Sequence, residues 1–313
     1  MNSIFNKLKI ANPIICGAMY PCSNPELIAA AANANILPIV QPLALTYVNG
    51  YKFQDGISHI NKLTNNKPIG LNLLIEQSSK KYLDINKTWL QQALDLGIKF
   101  FVTALGDPEW FVKKGQQYGA IFYHDIAIPK HAEKANNAGV DGFICVNSRA
   151  GGHAGPHSKE ELYNELSNFN KPLICAGGIS NKETFKEALK IGYRGVQMGT
   201  RFIASKECSA NENYKQAILS AKEQDIQLTL KMTGVPVAVI NKANKKESGI
   251  LKFILTNNLT KHYARTILSL LSFLKLKKQT KDKKSYHNLW QAGKSVQHIH
   301  QVKSVQNIVN DII

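Results

Sequence analysis

A glycine-rich turn at 147–155 carries one histidine, and its composition is typical of a ligand-binding loop. The turn reads Asn-Ser-Arg-Ala-Gly-Gly-His-Ala-Gly and directly follows an apolar run at 142–146. Glycines let the backbone pass close to a ligand, and a neutral imidazole can both accept and return a proton near neutral pH. His153 is therefore the candidate catalytic residue. The alternative is a hydrogen-bonded structural histidine.

Two further glycine turns follow along the chain. Gly177 and Gly178 come after an apolar run at 172–176, and Gly199 and Thr200 come after a run at 194–198. Each turn precedes a segment with helical periodicity, so backbone N–H groups and a helix N-terminus there can bind an anion. We therefore predict that these four residues bind a phosphate group.

Other candidates lie at the ends of apolar runs or inside them. Around Ala18 and Met19, small residues would let the main chain lie along a flat aromatic ring, and a structural turn is the alternative. Asn72 is polar inside an apolar run, and a buried amide needs partners such as the carbonyls and ring nitrogens of a heterocycle. His124 follows a fifth run and could either contact a phosphate or be a structural residue of the core.

Eight apolar, β-branched runs position these candidates. They lie at 13–16, 36–40, 68–74, 98–103, 120–123, 142–146, 172–176 and 194–198, with helical segments between them. Eight such alternations predict a (β/α)8 TIM barrel, in which ligands bind at the carboxyl ends of the strands. The turns should therefore converge on one end of the barrel. Ser180 and Glu183 also predict a capping box before the helix that follows the seventh strand.

The pattern changes after Ala221. We expect a barrel at 1–221 that binds a phosphate-bearing cofactor, a helical substrate-covering lid at 222–289, and a segment at 290–313 that returns to the barrel with a terminal helix from about 302. The apolar stretch at 250–276 is interrupted by Lys261, His262 and Arg265. A membrane span is therefore not expected.

Composition favours a cytoplasmic protein with a full core. The chain has 313 residues, 44% of them hydrophobic, and five cysteines without metal-ligand spacing, so we expect reduced thiols and no metal site. Much of the net charge of +17 lies beyond Met232 in lysine runs without interleaved aromatic residues. Such runs indicate a solvated surface more than a nucleic-acid site, and attraction of anionic substrates is the other alternative. Walker, dinucleotide-binding and nucleophile-elbow motifs are not found.

An ordered set of motifs resembles the nitronate monooxygenase family, formerly called 2-nitropropane dioxygenases. The motifs lie at 17–19, 70–72, 150–155, 176–179, 197–202, 233–236 and 290–293, so the resemblance covers nearly the whole chain. It implies an FMN-dependent oxidoreductase that oxidises alkyl nitronates, or nitroalkanes, with O2 and without a nicotinamide. The implied partners are a small anionic substrate and O2, with neither nucleic acid nor membrane, and a homodimer is possible.

The resemblance also implies residue roles. It places Gly151 near the flavin ring and His153 over the reactive face, where the histidine orients the nitronate or removes the proton next to a nitro group. It also places Ala18 and Met19 along the ring, Asn72 at its polar edge, and Gly177, Gly178, Gly199 and Thr200 around the phosphate. His124 is a further candidate cofactor-binding residue from its position alone, and the resemblance gives it no role.

Two departures from the family pattern and two rival functions remain open. Lys294 and Ser295 follow Gly293 where relatives commonly have Gln and Gly. Arg149 replaces a small residue and would favour an anionic substrate or point to solvent. The rivals are an FMN-dependent enoyl-acyl-carrier-protein reductase that uses NAD(P)H, and a flavin-binding protein without turnover.

Overall fold

A closed barrel of eight parallel strands forms the centre of the protein. The computed structural model describes residues 4–75, 80–230, 236–241 and 290–313. Each strand pairs with the next, and the eighth pairs with the first. The strands are β1 Ile14–Cys16, β2 Leu37–Val40, β3 Gly70–Leu74, β4 Phe100–Ala104, β5 Ile121–Ile126, β6 Gly142–Val146, β7 Leu173–Ala176 and β8 Val196–Met198. The predicted barrel is confirmed, with every predicted run present as a strand.

Helices separate the strands and cover the outside of the barrel. They are α1 Ile4–Lys7, α2 Pro25–Asn33, α3 Phe53–Thr64, α4 Lys80–Asp95, α5 Glu109–Gln116, α6 Ala132–Asn137, α7 Lys159–Leu166, α8 Lys182–Ile191, α9 Thr200–Ile203, α10 Glu212–Ser220 and α11 Val305–Ile312. The predicted capping box of α8 is wrong by one residue. Asn181 is the N-cap and accepts a hydrogen bond from the Thr184 amide at 3.0 Å. The Ser180 hydroxyl instead donates to the Ser295 carbonyl at 3.2 Å.

Strand side chains alternate between the barrel interior and the layer beneath the helices. The interior cluster includes Ile15, Leu37, Ile39, Phe100, Val102, Tyr123, Ile144, Ile174 and Ala176. Ile4, Phe5 and Ile10 join this cluster near the amino-terminal ends of the strands. The alternate strand positions belong to the outer cluster. This alternation decides which candidate side chains can face a ligand in the barrel mouth.

A small antiparallel sheet lies beside the barrel mouth. Its strands are β9 Ile226–Thr229, β10 Val237–Ile240 and β11 Trp290–Gln291, in the order β11-β10-β9. The Ala238 amide donates to the Gly152 carbonyl at 2.8 Å, which joins β10 to the turn after β6. Within the region predicted as a helical lid, the described residues thus include two strands. The predicted helical stretch at 250–276 lies outside the described residues.

The end of the chain packs on the barrel's helical layer. Helix α11 begins at Val305 and contacts α2, α8 and α9. All five cysteines are buried free thiols. Within the described ranges, no helix combines the length and apolar character needed to cross a bilayer, and no group of His, Cys, Asp and Glu side chains could hold a metal ion.

Candidate active site

The turn after β6 presents His153 at the barrel mouth. Gly152 has a φ of 69°, a left-handed conformation that favours glycine. The turn is tight, since the Ala154 amide donates to the Gly152 carbonyl at 2.8 Å. A side chain at Gly155 would overlap the Ala127 carbonyl oxygen. These glycines fix the shape of the turn, and the His153 side chain is left exposed.

The turns after β7 and β8 offer backbone donors. Gly177 and Gly178 have φ values of 118° and 79°, and a side chain at Gly177 would overlap Asn147 and the Ala150 backbone. Within the described part of the chain, the amides of Gly177, Gly178 and Gly199 donate no hydrogen bond. Unpaired N–H groups on two neighbouring turns suit an anion such as phosphate.

Direct contacts join these turns to one another and to the turn after β1. The Asn147 side-chain amide donates to the Gly177 carbonyl at 3.0 Å. A Cβ atom at Gly199 would lie 3.5 Å from the Met19 sulfur. Because β8 closes the barrel against β1, the turns after β6, β7, β8 and β1 form one continuous surface. Met19 itself is buried and Ala18 packs against the interior cluster.

Residues 292–295 lie between the turns after β6, β7 and β8. The Gly293 amide donates to the Thr200 hydroxyl at 2.9 Å, and the Lys294 amide donates to the Arg149 carbonyl at 2.9 Å. Gly293 and Gly151 approach so closely that a side chain on either would overlap the other's backbone. The Thr200 oxygen thus already has a protein partner, while its hydroxyl proton can still be donated.

Arg149, Glu223 and Lys294 form an ion-pair group, here called the Glu223 cluster. Two Arg149 nitrogens donate to the two Glu223 oxygens, each at 2.7 Å, and the Lys294 Nζ lies 3.6 Å from the carboxylate. The hydrogen bond from Arg149 and the nearby positive charges lower the pKa of Glu223. Arg149 therefore pairs with a protein carboxylate, a contact that neither sequence-based expectation included, and its side chain stays partly exposed. Arg149 and Lys294, which both depart from the family pattern, thus contact the same carboxylate.

Asn72 faces the barrel interior. Its neighbours Leu71 and Leu73 belong to the outer cluster, so the Asn72 side chain points the opposite way. It is 7% exposed and lies opposite Val102 of β4. Its amide can therefore meet a ligand only from inside the barrel.

His124 lies apart from the glycine turns. Strand β5 continues through Ile126, so His124 is inside the strand and not at its end. Phe122 and Ile126 belong to the outer cluster, and the His124 Nδ1 lies 2.8 Å from the Thr103 hydroxyl oxygen. Burial lowers the pKa of His124 to about 4. This environment favours the structural alternative over a phosphate contact.

Asp125 is an interior residue that was not among the candidates. It lies two positions after Tyr123 and shares the inward face of β5. Its Oδ1 atom is buried and has no hydrogen-bond partner among the described residues, an arrangement that costs roughly 1–3 kcal/mol. Burial raises the pKa of Asp125 to about 7. The sequence could have indicated this position. If the fifth strand is extended beyond residue 123, residue 125 falls on the same inward face as residue 123.

The stability of the apoprotein should show opposing pH dependences from these two neighbours. The pKa of His124 falls from 6.5 to about 4, so its contribution to stability is lost as the pH falls through this window. The pKa of Asp125 rises from 3.8 to about 7, so its contribution is lost as the pH rises through that window. Each contribution is of the order of 3–4 kcal/mol, at about 1.4 kcal/mol per tenfold change in proton affinity.

Asp125→Asn should remove only the second contribution. Relative to the wild type, the variant then loses stability on acidification from pH 6.5 to 4.5, because the His124 contribution is no longer opposed. Urea unfolding of both apoproteins across this range measures the difference. Superimposable pH profiles would contradict the placement of Asp125.

Together these groups suit a ligand with an anionic end and a polar heterocycle. Unpaired amides after β7 and β8 suit the anion, and Asn72 and Asp125 offer hydrogen bonds from the inner wall. Met19 and Ala18 add an apolar surface near the first and last strands. The exposed imidazole of His153 lies on the neighbouring β6 turn, so it can reach a molecule bound over the mouth.

Sequence comparisons match the chain to one family along its length. The profile described as nitronate monooxygenase matches residues 2–313. A probable nitronate monooxygenase of Staphylococcus saprophyticus is 28% identical, over 96% of this chain and 95% of that protein. A (3aS,4S,5R,7aS)-5-hydroxy-7a-methyl-1-oxo-octahydro-1H-indene-4-carboxyl-CoA dehydrogenase of Rhodococcus jostii is also 28% identical, over 74% of this chain. That match spans 63% of the dehydrogenase's own length.

Solved structures share the fold. FabK from Thermotoga maritima superposes with a TM-score of 0.78 and 24% identity, over 99% of this chain and 94% of that one. Nitroalkane oxidase from Streptomyces ansochromogenes superposes with a TM-score of 0.77 and 20% identity, over 99% of this chain and 96% of that one. The barrel and its mouth are therefore an architecture that these proteins have in common.

Proposed function

Because this chain belongs to the nitronate monooxygenase family of flavin-dependent oxidoreductases, we propose that it binds FMN and oxidises alkyl nitronates, and neutral nitroalkanes, with O2. The observation that carries the proposal is the exposed His153 beside two glycine turns whose amides are unpaired in the described structure. An imidazole next to an anion-binding surface suits chemistry on a substrate that lies against a bound phosphate cofactor.

The residues present fit FMN. The amides of Gly177, Gly178 and Gly199 would hold the phosphate, with the Thr200 hydroxyl as a further donor. The ring would lie along Ala18, Met19 and Gly151, with its polar edge toward Asn72. His124 is left out of this set, since its ring faces the outer layer and contacts Thr103.

His153 has one role for each form of the substrate. When bound, FMN supplies the redox chemistry, accepting electrons from the substrate and passing them to O2. For an anionic nitronate, the imidazole donates a hydrogen bond to a nitro oxygen and fixes the orientation of the substrate. For a neutral nitroalkane, it accepts the proton from the carbon that carries the nitro group.

Anaerobic mixing tests the function directly. The FMN-loaded protein is mixed with propionate 3-nitronate, and separately with NADH, while the flavin absorbance is followed. We expect rapid bleaching by the nitronate, and oxygen consumption when air is readmitted. Rapid bleaching by NADH alone would reject the proposal in favour of an enoyl reductase. Stoichiometric FMN without substrate-dependent oxygen uptake would instead indicate a binding protein.

A further inference from the structure

One oxygen of the Asp125 carboxyl group lacks the hydrogen-bond partner that buried oxygens normally have, although the residue as a whole is partly exposed. Its Oδ1 atom is buried without a hydrogen bond among the described residues. Its strand neighbour His124 cannot supply one, because that ring lies on the other face of β5 and contacts Thr103. Buried polar groups are nearly always paired. The unpaired Oδ1 atom of Asp125 therefore suggests a hydrogen-bond partner from a bound ligand.

The walls beside Asp125 are apolar. Strand pairing places Ile144 of β6 opposite it, and Ala104 of β4 follows the Thr103 that pairs with His124. Val146, one alternation beyond Ile144, packs against the interior cluster. None of these side chains can donate or accept a hydrogen bond, so a molecule bound over the mouth is the partner that the barrel architecture allows.

A flavin offers suitable chemistry at its pyrimidine edge, where carbonyl oxygens alternate with a ring N–H. A carboxylate accepts from that N–H, and a protonated carboxyl donates to a carbonyl. Asn72, on the inward face of β3, carries an amide with the same dual capacity. We propose that Asp125 is a binding residue for the pyrimidine edge of the flavin, an inference that rests on the proposed FMN binding.

The test compares FMN dissociation constants by fluorescence quenching in three variants. Asp125→Leu and Asp125→Ala remove the hydrogen-bonding group, so we expect FMN to bind at least 10-fold more weakly. Asp125→Asn keeps a donor and an acceptor in nearly the same shape and should bind within about threefold of the wild type. Because Leu also removes an unpaired polar group, the Asp125→Leu apoprotein should melt no lower than the wild-type apoprotein.

Asp141→Asn is the matched control. The Asp141 carboxylate accepts from the Phe122 amide at 2.9 Å, at the starting end of β5 and β6. Its replacement should lower the melting temperature without changing FMN affinity. Wild-type affinity in both Asp125→Leu and Asp125→Ala would overturn the inference. A wild-type protein that binds no FMN would overturn the proposed function instead, so the two failures are distinguishable.

Discussion

Gly199→Asp should lose bound FMN while keeping its fold. The φ of Gly199 is −114°, which any residue adopts. An added Cβ would make only ordinary contacts, the nearest with the Met19 sulfur at 3.5 Å. The new carboxylate would lie beside the proposed phosphate, and like charges about 4 Å apart repel by about 4 kcal/mol at an effective dielectric of 20. We therefore expect FMN affinity to fall by at least 100-fold.

Gly199→Ala is the control for this variant, because it adds the same Cβ without the charge. Its FMN dissociation constant should lie within about 10-fold of the wild-type value. The circular dichroism spectra of both variants should match that of the wild type. Gly177 and Gly178 are poorer choices, since their positive φ values make any substitution strained. At Gly178 a new acid would also lie next to the Arg149 side chain. Unchanged FMN affinity in Gly199→Asp would refute the phosphate assignment.

His153→Ala should lose most activity on neutral nitroalkanes and keep its flavin. A positioned general base typically contributes 10²–10⁴-fold, so we expect kcat/KM to fall by at least 100-fold. The loss on preformed nitronates should be smaller, because their proton is already gone. The amides proposed to bind the phosphate belong to other turns, so the FMN dissociation constant should stay unchanged. Steady-state oxygen consumption with both substrate forms measures the difference.

His157→Ala provides the comparison within the same loop. His157 is partly exposed and lies 3.9 Å from Glu161 in helix α7, so its removal should leave kcat/KM unaltered. Loss of FMN from His153→Ala would show that the histidine supports the turn and has no role as a base. Equal losses on nitroalkane and nitronate would likewise exclude proton removal as its main task.

The barrel could be predicted because its signals are local. Each apolar run is bounded by turn residues, and the glycine turns follow the runs directly, so strand order alone brings them to one end. The end of β5 was less clear, since His124 and Asp125 interrupt the apolar run although both lie in the strand. Only when the strand is extended through both residues does its alternation place His124 toward the outer layer and Asp125 toward the barrel interior.

The contacts around the mouth could not be predicted, because they join distant parts of the chain. Strand β11 pairs with β10 across residues 242–289, and no local pattern encodes that partner. Arg149 and Glu223 are 74 residues apart, so no local pattern links the two. The sequence therefore identified the residues at the mouth and left open what each of them contacts.

The Glu223 cluster changes how deviations from a family motif should be counted. A comparison that scores each position separately finds two defects here, at Arg149 and Lys294, although both cations neutralise one carboxylate. The two contacts are unequal, because Arg149 makes two hydrogen bonds at 2.7 Å and the Lys294 Nζ lies 3.6 Å away, so replacing Arg149 would cost Glu223 more than replacing Lys294. Because these contacts join them, positions 149, 223 and 294 should be compared as a group, and homologues sorted by which residues they carry at all three.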